Sequence, residues 1–327
     1  MHKKIASLAL ACLAAACLPT GALAAKFNLK LGHAVNTTDG QHAAALKMAE
    51  LVKQRTNGDV EIAVFPSSTL GTDAAMISGA RGGTIDIVSS GASNYNGIVP
   101  ATAAFELPFV FRTAQHAYTV LDGPIGTKVL GEFDAQRLKG LAYWENGWRA
   151  FTNSKRPIRT PEDLKGLKIR STPNPYHIQA FKLLGMNPSP LAIAELYSAL
   201  EMGAFDAQEH PINVTLSAKF YEVQKYLTVS NHIYSPLILV MNKAKYDSLP
   251  PEYQTVVVEA AREAARYQRE LNASNAGKWV AELKKAGMQV VEQVDMAPFQ
   301  KIVSEPMAKT FGEKLGPDLL KSIENTQ

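Results

Sequence analysis

The order of elements in the first ninety residues constrains the fold most. Phe27-Asn-Leu-Lys-Leu-Gly32 alternates apolar and polar side chains, the pattern of a half-buried strand. Asp39-Gly40 then opens a helix with apolar positions at Ala43, Leu46, Leu51 and Val52, closed by Asn57-Gly58. Val60-Glu-Ile-Ala-Val-Phe65 reads as a second strand stopped by Pro66. A second helix runs from Ala74 to Gly82-Gly83, and Ile85-Asp-Ile-Val88 is a third strand. Strand and helix alternating at this spacing imply βαβ units, a mostly parallel sheet and an α/β fold. In such sheets ligands bind in the crevice beyond the carboxyl ends of the strands.

The pattern restarts further on. Leu138-Lys-Gly-Leu-Ala-Tyr-Trp144 and Leu167-Lys-Ile-Arg170 read as strands, with helices near 175–185 and 193–202. Ser235-Pro-Leu-Ile-Leu-Val-Met241 is a long apolar run, expected to return to the first unit or be shared with it. A helix from Glu252 to about Ala286 follows, entered through Pro250-Pro251 and closed by Gly287. Its wet side is assigned to Glu259, Arg262, Glu263, Arg266, Arg269 and Glu270. At about 1.5 Å per residue it would span roughly 50 Å, more than one domain needs.

Bulk properties narrow the partners. Residues 1–25 read as a signal peptide, with Lys3-Lys4 as the positive start, Ile5 to Leu18 as the apolar run and Ala22-Leu-Ala24 as the cleavage signal. Both cysteines, Cys12 and Cys17, lie inside it, so the mature chain has no thiol for disulfides, catalysis or metal. A lipid anchor at Cys17 fits less well, because Leu13 stands four residues before it rather than three. Without the two leader lysines the formal charge falls from +4 to +2. With no basic run, neither nucleic acid nor an anionic membrane is indicated as a partner. The 46% apolar content permits two domains, each with a core.

Enzyme motifs are missing. There is no Gly-x-Ser-x-Gly, His-Glu-x-x-His, P-loop or Gly-x-Gly-x-x-Gly after a strand. The seven histidines show no metal-ligand spacing. Neither catalysis, metal nor cofactor is therefore expected. Binding chemistry is better represented. Arg170 stands at a strand end just before Ser171-Thr-Pro-Asn-Pro175, where its guanidinium can present a planar fork to a carboxylate. The competing use is an ion pair with Asp163, Glu195 or Glu209. Arg149 follows Tyr143-Trp-Glu-Asn-Gly-Trp148, read as an aromatic-rich turn, and could hold a second ligand oxygen or stack on Trp148. Asn94, in the turn Ser90-Gly-Ala-Ser-Asn94, faces the crevice in this reading. His33 and Asn36, after the first strand, could bond ligand hydroxyls or simply cap a loop. Trp148, Tyr95 and Trp144 are candidates for a stacking face or for core.

Taken together, Asp163-Leu-Lys-Gly-Leu-Lys-Ile-Arg170, Gly185-Met-Asn-Pro-Ser-Pro190, Glu195-Leu-Tyr-Ser-Ala-Leu200, Asp206-Ala-Gln-Glu209 and Lys219-Phe-Tyr-Glu-Val-Gln-Lys-Tyr226 resemble the DctP family. Phe65-Pro-Ser-Ser-Thr-Leu-Gly71, Gly82-Gly-Thr-Ile-Asp-Ile87 and Phe105-Glu-Leu-Pro-Phe109 extend the resemblance over residues 27–300. These are the periplasmic solute-binding proteins of TRAP (tripartite ATP-independent periplasmic) transporters. The resemblance implies two α/β domains around a ligand cleft, bridged by the long helix. The expected division is 26–147 plus 236–275 for the first domain and 148–235 plus 276–327 for the second. It also implies a small organic-acid ligand, a membrane permease as partner and a monomer in the periplasm.

The resemblance assigns Arg170 to the ligand carboxylate and often places a contacting arginine at Arg149. Many members read Gln-Glu-Asn-Pro where this chain has Gln208-Glu-His-Pro211, so His210 would take over a ligand-facing asparagine and could make affinity depend on pH. Gly91 stands near a position that is acidic in relatives recognising amino sugars, and Ile193 replaces an aromatic of some relatives. Two arginines with no compensating acid then favour a hydroxylated monocarboxylate, such as an aldonate or uronate, over a C4-dicarboxylate or 2-oxo acid. A periplasmic sensor subunit would share the same binding residues.

Overall fold

A computed structural model describes residues 25–327. Residues 1–24 of the expected leader, with both cysteines, lie outside the described residues. The strands are β1 Phe27–Gly32, β2 Val60–Phe65, β3 Ile87–Gly91, β4 Leu138–Asn153, β5 Lys168–Ser171, β6 Asn187–Pro190, β7 Ala207–Pro211, β8 Tyr226–Thr228, β9 Tyr234–Asn242 and β10 Gln289–Val291. The helices are α1 Gly40–Arg55, α2 Asp73–Gly82, α3 Ala114–Asp122, α4 Pro124–Glu132, α5 Pro175–Leu183, α6 Ile193–Glu201, α7 Ile212–Ser217, α8 Lys243–Asp247, α9 Pro251–Lys285, α10 Ala297–Leu315 and α11 Asp318–Asn325. No helix among the described residues is long and apolar enough to cross a membrane.

The opening series forms as its periodicity implies. β1 pairs in parallel with β2 and β3, and Asp39 caps α1 by accepting from the Gln41 N–H. Thr72 caps α2, and Gly83 ends it in the left-handed region at φ 84°. β9 then enters antiparallel between β3 and β4, and all nine of its residues are buried. The strand order is β2-β1-β3-β9-β4-β7-β5-β6, with β8 and β10 joined at β4.

One strand serves both lobes. β4 pairs with β9 from Leu138 to Trp148 and with β7 from Arg149 to Asn153. The sequence suggests that this strand ends near Trp144 and that Tyr143 to Trp148 form a turn. Instead the chain stays extended for 16 residues and absorbs its bend in two register shifts, at Gly140/Ala142 and Glu145/Gly147. Gly147 has φ 122°, closed to most side chains, and a Cβ there would press on Pro211. Buried polar groups of α9 hold the second bend. Gln268 exchanges hydrogen bonds with the backbone of Glu145 (2.9 and 3.0 Å), and Asn272 donates to the Glu145 carboxylate (3.0 Å).

α9 has 35 residues, as the sequence indicates, and its middle is lined by small apolar residues. Ala260, Ala261, Ala264 and Ala265 let it lie close to α1 and β4, and Trp144 donates its indole N–H to the Ala261 carbonyl (2.9 Å). Further along it touches α7 and β10 of the other lobe. Arg269 departs from the wet side assigned to it. It is buried, paired with Asp122 and stacked 4.3 Å from the Tyr118 ring centre.

Candidate functional site

The two lobes enclose a cavity of about 290 Å³. α1 supplies Gln41 to its wall, α2 supplies Asp73, β3 supplies Ser90, and the short 3-10 helix Ala92–Tyr95 supplies Asn94. From the other lobe come Arg149, Arg170, Thr172, His210 and Val214. β4, β5 and β7 are neighbours in the sheet, so their ends bring three nitrogen-rich side chains together.

The two arginines have different surroundings. Arg149, 2% exposed, is held by Glu209. Its Nε and Nη2 both donate to the Glu209 carboxylate, Nη2 also donates to the Glu209 carbonyl (2.7 Å), and Nη1 reaches Ser235 Oγ at 3.4 Å. Burial alone would raise the Glu209 carboxyl, but Arg149 holds it well below the usual range. This is a buried, bidentate ion pair.

Arg170 is as deeply buried, at 3% exposure, yet has no carboxylate within 4 Å among the described residues. Its Nε donates to the Leu191 carbonyl (2.8 Å) and Nη1 to His210 Nε2 (3.3 Å). Nη2 has no protein partner among the described residues. Burial and the charge of Arg149 push its pKa from 12.5 down to about 10. A buried cation in that condition is costly until an anion reaches it.

His210 accepts from Arg170 through Nε2, so its proton sits on Nδ1, which donates to Gln208 Oε1. Burial, then Arg149 and Arg170, drive its pKa well below 6.5, and the ring is neutral. The pH dependence expected of this histidine therefore finds no support in its surroundings.

Across the cavity stands Asp73, which the sequence reading passed over. It is the first residue of α2, where an acid ordinarily complements the helix dipole, and that ordinary role hid it. Ser90 Oγ donates to Asp73 Oδ1 (2.6 Å), and Asn94 Nδ2 donates to Ser90 Oγ (2.9 Å). Burial raises the Asp73 carboxyl, opposed by the Ser90 hydroxyl and the charge of Arg170. The idea of two arginines with no compensating acid is thus corrected. Glu209 neutralises one, and Asp73 faces the other.

Of the residues singled out by sequence, Arg170, Arg149, His210 and Asn94 meet at this cavity, with Gly91 and Ile193 also in its wall, and Asn36, His33, Trp148, Tyr95 and Trp144 do not line it. Tyr95 is core, its ring edge-on to Phe133 and its hydroxyl on the Ile238 carbonyl (3.2 Å). Trp148 packs edge-on against Tyr234 and borders a separate surface cleft with Phe109 and Phe111. His33 is fully buried, its Nε2 3.0 Å from His42 Nδ1. Asn36 donates to the Ser217 carbonyl (2.6 Å) in a neighbouring compartment. That bond crosses between lobes, as do those from Asn213 Nδ2 (3.1 Å) and Ser217 Oγ (3.2 Å) to the buried carboxylate of Asp39.

The family described as bacterial extracellular solute-binding protein, family 7 (DctP) matches residues 31–314. The chain belongs to the DctP family. As a DctP protein it is a solute-binding receptor of the kind TRAP transporters use. It is similar to the 2,3-diketo-L-gulonate-binding periplasmic protein YiaO of Escherichia coli, 46% identical over 95% of each chain. It also matches a TRAP periplasmic solute-binding protein of Polaromonas bound to D-erythronate, with TM-score 0.90, 37% identity and coverage of 92% of this chain and 99% of that one. A Sulfurospirillum deleyianum TRAP protein with bound succinate superposes with TM-score 0.88 at 30% identity, covering 93% and 100%. The α/β fold described above is shared with these TRAP periplasmic solute-binding proteins.

Proposed function

We propose that this DctP protein captures a hydroxylated monocarboxylate, an aldonate or uronate, and delivers it to the membrane permease of a TRAP transporter. The carrying observation is the polarity of the cavity. A buried guanidinium without a carboxylate partner stands on one side and the half-buried carboxylate of Asp73 on the other. The ligand carboxylate meets Arg170 and relieves the cost of burying that cation. Its hydroxyls donate to Asp73 and bond the side-chain amide of Asn94, while both ring nitrogens of His210 are already engaged by Arg170 and Gln208. A second carboxylate would meet Asp73 and be repelled, which disfavours dicarboxylates such as the succinate held by one relative. The D-erythronate bound to one relative is an aldonate and supports the same reading, and the 2,3-diketo-L-gulonate named for another is a hydroxylated monocarboxylate that is also a 2-oxo acid.

Arg149 in this reading is a positioning residue. Its pair with Glu209 fixes the end of β7, and so the place of His210. Closure gathers contacts from both lobes, so ligand shifts the open–closed equilibrium by its preference for the closed state. In this reading the lobes comprise 26–147 plus 236–275 and 148–235 plus 276–327, hinged at β4, β9 and α9. Residues 1–25 direct export to the periplasm, where the receptor works as a monomer and performs no catalysis.

A thermal-shift screen against aldonates, uronates, dicarboxylates and 2-oxo acids tests the proposal. At about 100 times the dissociation constant a ligand adds about 2.7 kcal/mol, a shift of several degrees for a chain this size. Shifts confined to hydroxylated monocarboxylates are expected. A screen in which only dicarboxylates shift the melt overturns the ligand assignment.

A further inference from the structure

The cavity does not end in solid protein. A second compartment of about 210 Å³ adjoins it, and the two share Ala34, Val35, Ile193 and Val214 as lining. The boundary between them is therefore apolar, with both lobes in it. Val35 follows β1, Ile193 is the first residue of α6, and Val214 lies on α7. Ile193 is only half-buried and packs on the cluster of Val214 and Phe220.

The chemistry changes beyond this wall. Asn36, Ser67 and Ser68 line the compartment from one lobe, and Tyr197 and Ser217 line it from the other. Ser68 Oγ is buried without a hydrogen-bond partner among the described residues. Ser67 and Ser68 both hold left-handed backbone, at φ 55° and 56°, a conformation unfavourable for a residue other than glycine. Their backbone N–H groups bond Val35 and His33 carbonyls, which fixes the loop in that shape. Strain of this kind persists where surrounding structure over-determines it, and clusters at ligand clamps.

We infer that the second compartment is a tail subsite for longer polyhydroxylated acids, and that Ile193, with Val35 and Val214, is the partition that sets the longest ligand the closed receptor accepts. The inference rests on the sugar-acid reading above and extends it to chain length. With the carboxylate fixed at Arg170 beside the Leu191 carbonyl, an acid long enough to turn toward Val35 and Val214 meets this wall. The wall offers no hydrogen bond to a terminal hydroxyl, and the lobes cannot close over an acid that reaches past it. Shortening Ile193 joins the compartments and gives such a tail the serine hydroxyls and Asn36.

The test is calorimetric binding of erythronate, xylonate, gluconate and glucoheptonate, a series of four to seven carbons, to wild type, Ile193→Ala and Ile193→Phe. Melting temperatures confirm that each variant is folded. The wild type should show a length cut-off. Ile193→Ala should move it outward, strengthening the first excluded acid by about tenfold or more, the usual worth of one methylene in a close-fitting pocket. Ile193→Phe keeps the wall filled and should move the cut-off inward, weakening the longest accepted acid by a similar factor while erythronate is little changed. A wild type without a cut-off, or a cut-off that neither variant moves, overturns the partition alone. A wild type that binds none of the series overturns the sugar-acid reading and the inference with it.

Discussion

Replacing Arg170 by methionine separates binding from stability. Burial and Arg149 lower the Arg170 pKa from 12.5 to about 10, and at 1.36 kcal/mol per unit the ligand-free fold carries a burden of about 3 kcal/mol. Methionine removes that burden and fills similar space. It also forfeits the bond to the Leu191 carbonyl and leaves His210 Nε2 without a donor, together costing about 1–3 kcal/mol. The ligand-free variant should thus be as stable as wild type or up to about 2 kcal/mol more stable. That corresponds to a melting temperature unchanged or raised by up to about 5 °C. Losing the partner of a buried carboxylate costs about 3–5 kcal/mol, so affinity should fall about 100-fold to several thousand-fold. Thermal melts without ligand and calorimetry with the best-bound acid measure both. A variant that melts more than about 5 °C below wild type while still binding would refute the reasoning.

Glu209→Gln should behave in the opposite way. It strands Arg149 in the interior and should destabilise the fold by about 3–5 kcal/mol, lowering the melt by about 6–15 °C. The double variant Arg149→Met with Glu209→Leu should recover at least half of that loss, and a loss that merely adds would contradict the pairing. Stability should fall in acid because His33 is held at about 4 while its unfolded form titrates near 6.5. The unfolded chain takes up this proton first, so stability is lost as pH drops from 6.5 toward 4. His33 alone accounts for about 2 kcal/mol between pH 7 and pH 5, and buried His177, His210 and His232 act in the same direction. Urea titrations at the two pH values, repeated with His33→Gln, should show the variant losing less. Asn213→Ala removes a bond to Asp39 that crosses between the lobes, at a residue outside the cavity lining. It should weaken every ligand about tenfold by disfavouring closure, and unchanged affinity would show that this latch does not contribute.

Local patterning made much of this architecture legible. The alternation in Phe27–Gly32, the Asp39 cap and the glycine stops at Gly58 and Gly83 act over a few residues and read directly from the chain. So does the 35-residue helix α9, from its proline entry to Gly287. The course of β4 was harder to read. Its second bend is held by Gln268 and Asn272, more than 120 residues away, and nothing between Tyr143 and Trp148 announces it. Arg269 looked like a surface cation because helical periodicity shows a face, not what another element brings against it. In the site, Arg170 was legible as a strand-end arginine. The pairing of Arg149 with Glu209 depends on the antiparallel register of β4 and β7, a long-range fact. Asp73 was masked by its position at a helix start, where its local role suffices to explain it.

A crystal structure with the tightest-binding acid of the screen tests the central claim most directly. The account predicts the ligand carboxylate on the outer nitrogens of Arg170, hydroxyls donating to Asp73, and Arg149 still paired with Glu209. A carboxylate bound elsewhere, with Arg170 untouched, would contradict it.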